Sequence, residues 1–488
     1  MNISFLNNNQ VWASKILALL SVRGFILFVI FISSALIALI PGGYLTEHLA
    51  ISAALVLATV GMLATGIVSE QVAILIFFFF AMIYSVSAPE IVFSGFYSSA
   101  FWLVFGGLVI GAAVDRTGLG GRIAKSIIYC IKGNYSSVIA AVIFLNILLI
   151  FLMPSTLSRV VLLIPIVLAL ANSLGYAEGS PPRNGIVMAT VLTAYLGSTS
   201  VLPANVPNNV LMGAAESFQG VQLHYFNYLV LHFPVLGFLK SLVVWVCVVW
   251  LFRPREEIYD FSRSFQPTAP IMITAFSSEE RRLSLFLIVA LLLWSTDKIH
   301  GTAPAWISLG VGILCLVPLL GVISAETFKE KVPISPLLYV AGIIGVGAVV
   351  ADTGLGTFIS ERIVNASNLS PDDPLRGFFV LSGTAMLLGF FSTMPGVPAI
   401  LVPIASDLSA ASGLNLNAVL MTQVVGFSTV WLPYQVPPII VGMQLAGVPM
   451  MSGIKITALI GLISVVVLNP LVAVWWQILG YLPDGLLF

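Results

Sequence analysis

The chain has 488 residues, 59% of them hydrophobic and only 8% charged, with 20 basic against 20 acidic side chains. Soluble domains carry roughly 25% charge, so the composition excludes an ordinary soluble fold, and zero net charge without a long basic run excludes a nucleic-acid partner. Apolar runs of about 20 residues, the length that crosses a bilayer, follow one another from near Arg23 to Trp476 and predict one polytopic all-α membrane protein of about ten to twelve spans.

The N-terminal stretch, MNISFLNNNQVWASKILALL, lacks an apolar core followed by a small-residue cleavage site, so the first span is expected to be retained. Helical spans are predicted near 24–41, 49–67, 71–88, 101–114, 137–153, 157–174, 184–202 and 227–251. Residues 253–282 then turn polar, with Arg253, Arg255, Glu256, Glu257, Asp260 and Arg263 among prolines at 254, 267 and 270. This linker ends in SSEE, a capping box in which Ser277 and Glu280 begin the next helix. Apolar segments resume near 283–296, 303–322, 336–351, 377–392, 397–413, 416–432 and 455–477. The organisation is therefore an N-terminal segment and first span in 1–48, a first repeat in 49–252, a cytoplasmic linker in 253–282 and a second repeat in 283–488.

The two repeats are visible as matching words. Gly106, Gly111, Thr117, Gly118, Leu119 and Gly120 correspond to Gly342, Gly347, Thr353, Gly354, Leu355 and Gly356 at a constant spacing of 236. LIPI at 163–166 pairs with LVPI at 401–404, and Pro203 and Pro207 pair with Pro433 and Pro437. Positive charge concentrates in cytoplasmic loops. The loop after the first TGLG holds Arg116, Arg122, Lys125 and Lys132, whereas the loop after the second is mostly acidic. Equivalent loops on opposite sides imply inverted repeats, the architecture of secondary transporters.

Backbone without helical hydrogen bonds is tolerated at membrane depth only where protein or a watery cavity satisfies it. Four stretches read as broken in this way: MPSTLSR (153–159), GSTSVLPANVPNN (197–209), FSTMPGVP (391–398) and FSTVWLPYQVPP (427–438). Helix starts at such breaks present N–H groups to an anion, and unwound carbonyls can ligate a cation. Arg159 stands alone in its run: no other charged residue occurs between Gly133 and Ala177. A membrane-depth arginine costs roughly 3 kcal/mol or more, so an anionic cargo beside it, or a carbonyl or acidic partner such as Asp407, must offset the charge. His48, His224, His232 and His300 lack ligand spacing, Cys130, Cys247 and Cys315 read as packing residues, and no nucleophile or metal motif points to an enzyme.

In order, TGLGGRI, STLSRVVLLIPI, VLPANVPN, SEERR, a second TGLG, STMPGVPAILVPIA and LPYQVPPI resemble the divalent-anion/sodium symporter family, over about Ile51 to Trp476. The resemblance implies re-entrant hairpins and broken helices, a homodimer in the inner membrane, and an elevator mechanism for dicarboxylates, tricarboxylates, sulfate or sulfonates. It implies tips at Ser155, Thr156 and Leu157 and at Thr393, Met394 and Pro395, with Asn205, Pro207, Asn208, Gln435 and Pro437 as further substrate contacts beside Ser158 and Arg159. It also implies Na+ as a coupling ion, held first by Ser155, Thr156, Gly197, Ser198 and Thr199 and second by Ser392, Thr393, Ser428 and Thr429. Both tip asparagines of the family are missing, and Met394 is a poor ligand for a hard cation. Coupling by exchange or protons is thereby favoured. The tip arginine places the chain nearest the citrate/2-oxoglutarate/malate translocator branch. Cation/proton antiport or arsenite export, with Asp407 as carboxylate, and a non-transporting sensor subunit are the alternatives.

Overall fold

The computed structural model describes residues 22–39, 46–129, 134–254 and 275–482, and most of the polar linker, with Cys130, lies outside them. Among the described residues every regular element is helical. Eight helices are long and apolar enough to cross a membrane, and the bent pair Ala405–Ser412 and Leu416–Phe427 adds a ninth. That is fewer than the sequence predicts, because several apolar runs are short or interrupted: Glu70–Ile83 and Pro304–Leu316 fall below full span length, and others stop at the breaks.

The repeat is carried into structure element by element. Ser99–Thr117, Leu119–Tyr129, Tyr135–Leu152 and Thr156–Ser173 in the first half recur as Ser335–Asp352, Leu355–Ser367, Pro374–Phe391 and then Gly396–Leu401 with Ala405–Ser412. Next come two broken helices, Pro181–Leu196 with Val206–Gln219 and Leu416–Phe427 with Pro437–Leu445. Each half closes on a long span, Tyr225–Leu251 or Met450–Ile478, that carries a π-helical segment, Phe233–Leu239 or Ser464–Leu468. The duplicated TGLG has one local cause: Gly118 (φ 73°) and Gly354 (φ 79°) both adopt the left-handed conformation that turns one helix into the next. The matched Gly106 and Gly342 serve close approach instead, since a Cβ on them would strike the Ser308 backbone and the Ile74 side chain.

The predicted capping box is present. Ser277 Oγ accepts from the Glu280 N–H at 3.0 Å while Glu280 Oε2 accepts from the Ser277 N–H at 2.7 Å. Glu280 also takes Arg122 Nε at 2.6 Å, so the helix that opens the second half is tied to the loop after the first TGLG.

Two hydrophobic cores divide the chain. One joins the early spans to Ser335–Asp352, through residues such as Phe77, Val92, Val104 and Ile344. The larger one holds Tyr135–Leu152, Thr156–Ser173, the broken helices and most of the second half.

Candidate functional site

Each half builds a tip from the same ingredients. In the first, Tyr135–Leu152 ends at Met153, Pro154 cannot continue it, and Ser155 caps the return helix Thr156–Ser173 by accepting from the Ser158 N–H at 3.3 Å. In the second, Pro374–Phe391 ends at Ser392 and the chain turns through Thr393, Met394 and Pro395 into Gly396–Leu401. The broken helices face the tips. Pro181–Leu196 unwinds through Gly197–Ser200 and Leu202–Ala204 before Asn205 caps Val206–Gln219, its Oδ1 accepting from the Asn208 N–H at 3.0 Å. In the second half Gln435 does the equivalent work: Oε1 accepts from the Trp431 and Leu432 N–H groups at 2.8 and 2.9 Å, and Nε2 donates to Gly389 O at 2.9 Å.

These four stretches enclose a cavity of about 600 Å³, a volume suited to a small-molecule ligand. Ser155, Thr156, Leu157, Ser158, Asn205, Pro207, Thr393, Met394, Pro395, Gln435 and Pro437 all line it. Opposite them stand Glu70, Val104, Pro336 and Tyr339, so the cavity lies where the two cores meet. The residues that open four helices, Ser155, Asn205, Pro395 and Val436, are on its wall. Helix starts carry partial positive charge, each typically about 0.3–1 kcal/mol toward an anion, and here they converge without any lining arginine.

Arg159 is not on that wall. It is fully buried behind it, with Nη1 on Met153 O and Nη2 on Thr156 Oγ1 at 3.1 Å, Ala194 O at 3.0 Å and Ala204 O at 3.2 Å. The expectation of a guanidinium touching the anion is therefore corrected. Helical side chains lean toward the N-terminus, which carries this one back onto the tip and the carbonyl end of Pro181–Leu196. Charged hydrogen bonds are worth about 1.5–3 kcal/mol each, so four of them balance a burial cost of roughly 3 kcal/mol or more. Asp407 is no partner: it is exposed and accepts from Ser360 Oγ at 3.0 Å.

Asn208 also stands behind the wall, its amide donating to Ser198 O and Val201 O at 3.0 and 2.9 Å. Of the first set implied for sodium, Ser155 and Thr156 reach the cavity whereas Gly197, Ser198 and Thr199 are buried beneath it. Ser198 Oγ lies 3.2 Å from Thr156 Oγ1, the hydroxyl that Arg159 holds. Of the second set, Thr393 Oγ1 meets Tyr339 Oη at 2.9 Å, Ser392 and Thr429 donate back to their own helices, and Ser428 accepts from Lys240. No cluster of three His, Cys, Asp or Glu residues occurs among the described residues.

Several site residues escaped the sequence reading. Tyr339 and Tyr195 line the cavity, the latter donating to Phe427 O at 3.0 Å, and aromatic residues in apolar spans give no signal of that role. Lys331 and Asp115, also on the wall, pair at 2.7 Å with both side chains about half exposed. The Asp115 hydrogen bond raises the Lys331 ammonium above its usual pKa, so the pair stays ionic at neutral pH. Lys240, by contrast, was legible: it is the one charged residue inside the run 227–251.

Duplicated helical units whose paired tips and broken helices close on a cavity form the build of a secondary transporter. The family model described as the sodium:sulfate symporter transmembrane region matches residues 20–482, and the chain belongs to that family. The L-tartrate/succinate antiporter of Escherichia coli K12 is 24% identical over 77% of this chain and 78% of its own. Inner membrane protein YbhI of the same organism is 23% identical over 67% of this chain and 68% of its own. The match spans about two thirds of the length of the first such relatives. The crystal structure of the Alcanivorax borkumensis YdaH transporter shares the fold, with a TM-score of 0.51 and 16% identity over 80% of this chain and 88% of that one. Membership places the chain among multi-pass transporters of small anions in the cell inner membrane.

Proposed function

We propose that this chain exchanges small dianions, carboxylates first, across the inner membrane as a homodimer, by an elevator-like movement of the larger core against the smaller. The observation that carries this reading is the cavity between the cores, faced by both tips and by four helix starts. An anion there meets backbone N–H groups in front, and the Arg159 charge lies behind the Ser155–Thr156 tip. Arg159 acts as a positioning residue: it holds the first tip on the broken helix and supplies its charge through that contact. The oxygens that a sodium ion would need in the first half are already engaged by Arg159 and Asn208, which supports exchange over sodium symport. The division into two cores, with the cavity at their boundary, supports the elevator.

Cation/proton antiport needs an intramembrane carboxylate, and the exposure of Asp407 removes the residue named for that role. The test is counterflow in proteoliposomes loaded with one unlabelled anion, offered labelled dicarboxylates, tricarboxylates, sulfate and sulfonates with and without sodium. Exchange of at least one dianion in sodium-free medium is the expected result. Binding without counterflow for the whole panel would favour the sensor subunit and sink the transport reading.

A further inference from the structure

The first break has its cation from its own hairpin, but the second does not. The place of Arg159 falls in the second repeat on Val397, by the same spacing that pairs LIPI with LVPI. Yet a buried cation is there. Lys240, fully buried, comes from the far half of Tyr225–Leu251, beyond its π-helical segment, and reaches across to the second broken helix. Its Nζ donates to Ser428 O at 2.9 Å and to Ser428 Oγ at 3.0 Å. Ser428 terminates Leu416–Phe427, so its carbonyl belongs to the negative end of that helix. Its hydroxyl hydrogen is spent on Val425 O at 3.0 Å, which leaves the oxygen lone pairs for the ammonium. Among the described residues no carboxylate forms an ion pair with Lys240 or Arg159.

A charge buried without a counter-ion persists only where dipoles hold it. Ser428 is the repeat counterpart of Ser198, at the spacing that pairs Pro203 with Pro433. Two broken helices thus end on buried cations in equivalent places, one supplied from within the repeat and one from outside it. We propose that the oxygen pocket at Ser428 is a site for a small monovalent cation, and that the Lys240 ammonium fills it permanently. The pocket stands independently of the transport reading, on which only its consequence rests: the second half then needs no free cation to accompany an anion.

The experiment is thermal melting of the purified full chain in detergent, at constant ionic strength, with sodium or ammonium chloride replacing N-methylglucamine chloride. Wild type should show no cation-specific shift. Lys240→Ala, which empties the pocket, should melt lower and recover by at least about 2 °C, saturably, with sodium or ammonium. Lys240→Met, which fills the space without charge, should melt lower and recover with neither. A Lys240→Ala protein that ignores both cations overturns the proposal. Saturable sodium stabilisation of wild type overturns it too, and that result needs no variant to fold. Failed counterflow with these melting results intact would instead sink the function reading alone.

Discussion

The two tips share a backbone plan and differ in how each half places positive charge. Ser155 to Arg159 holds its own cation, hydroxyls and cap within one turn of helix, so the first tip and the first break are locked through Arg159 and Thr156. Thr393 to Val397 has a buried methionine and a proline instead, and its break is secured by groups from elsewhere: Gln435, Tyr339 and Lys240. The lesson is that a duplicated fold conserves the need, here charge at an exposed helix end, more strictly than the residue that meets it.

The largest break in this comparison comes from Arg159→Ala. Removing it strands the carbonyls of Met153, Ala194 and Ala204 in a buried place, a loss of about 3–5 kcal/mol by analogy with broken buried charge pairs. Counterflow should fall by at least about 100-fold, and Arg159→Lys, which keeps charge without the planar fork, should recover only part of it. An Arg159→Ala protein with wild-type counterflow would mean that the first tip is held otherwise.

Gln435→Ala tests the second half in the same terms. It leaves the Trp431 and Leu432 N–H groups and Gly389 O unpaired, which should cost about 2–4 kcal/mol and slow counterflow by about tenfold. A smaller effect than that of Arg159→Ala is expected, because no buried charge is stranded.

Gly118→Ala and Gly354→Ala sharpen the comparison from the side of symmetry. Both sites have positive φ and open space around the missing Cβ, so each substitution should cost about 1–2 kcal/mol of backbone strain. Nearly equal falls in melting temperature are the expected outcome, and a twofold disparity would show that the turns are not equivalent.

The smallest effect belongs to the cavity wall. Lys331→Ala should leave the melting temperature close to wild type, since half-exposed ion pairs contribute little, while raising KM for a dianion by about two- to threefold with reduced salt dependence. The raised Lys331 pKa fixes the sign of the pH effect: the pair's contribution is full below the ordinary value of 10.5 and is lost as pH climbs through the raised one. A KM that changes equally at low and high salt would remove Lys331 from the path of the anion.

Much of this was readable from the chain. The repeated TGLG, the capping box at Ser277, the four breaks and most of the lining residues follow from local rules: glycine for positive φ, hydroxyl for a helix start, proline where a helix must stop. The lone charge of Arg159 marked a special site correctly, but its contacts were beyond reach. The sequence shows that a cation is buried and not what surrounds it, because the carbonyls of Ala194 and Ala204 lie 35 and 45 residues away.

What the sequence determined by itself was therefore a membrane-embedded, duplicated helical chain with broken helices, since hydropathy, glycine and proline act over a few residues. Only the tertiary structure decided that Arg159 lies behind the wall and not on it, that Tyr339 and Lys331 join the cavity, and that Lys240 serves a helix end 188 residues away. The reason is electrostatic: backbone dipoles have no letter in the sequence, and they acquire partners only when the chain folds back to supply them.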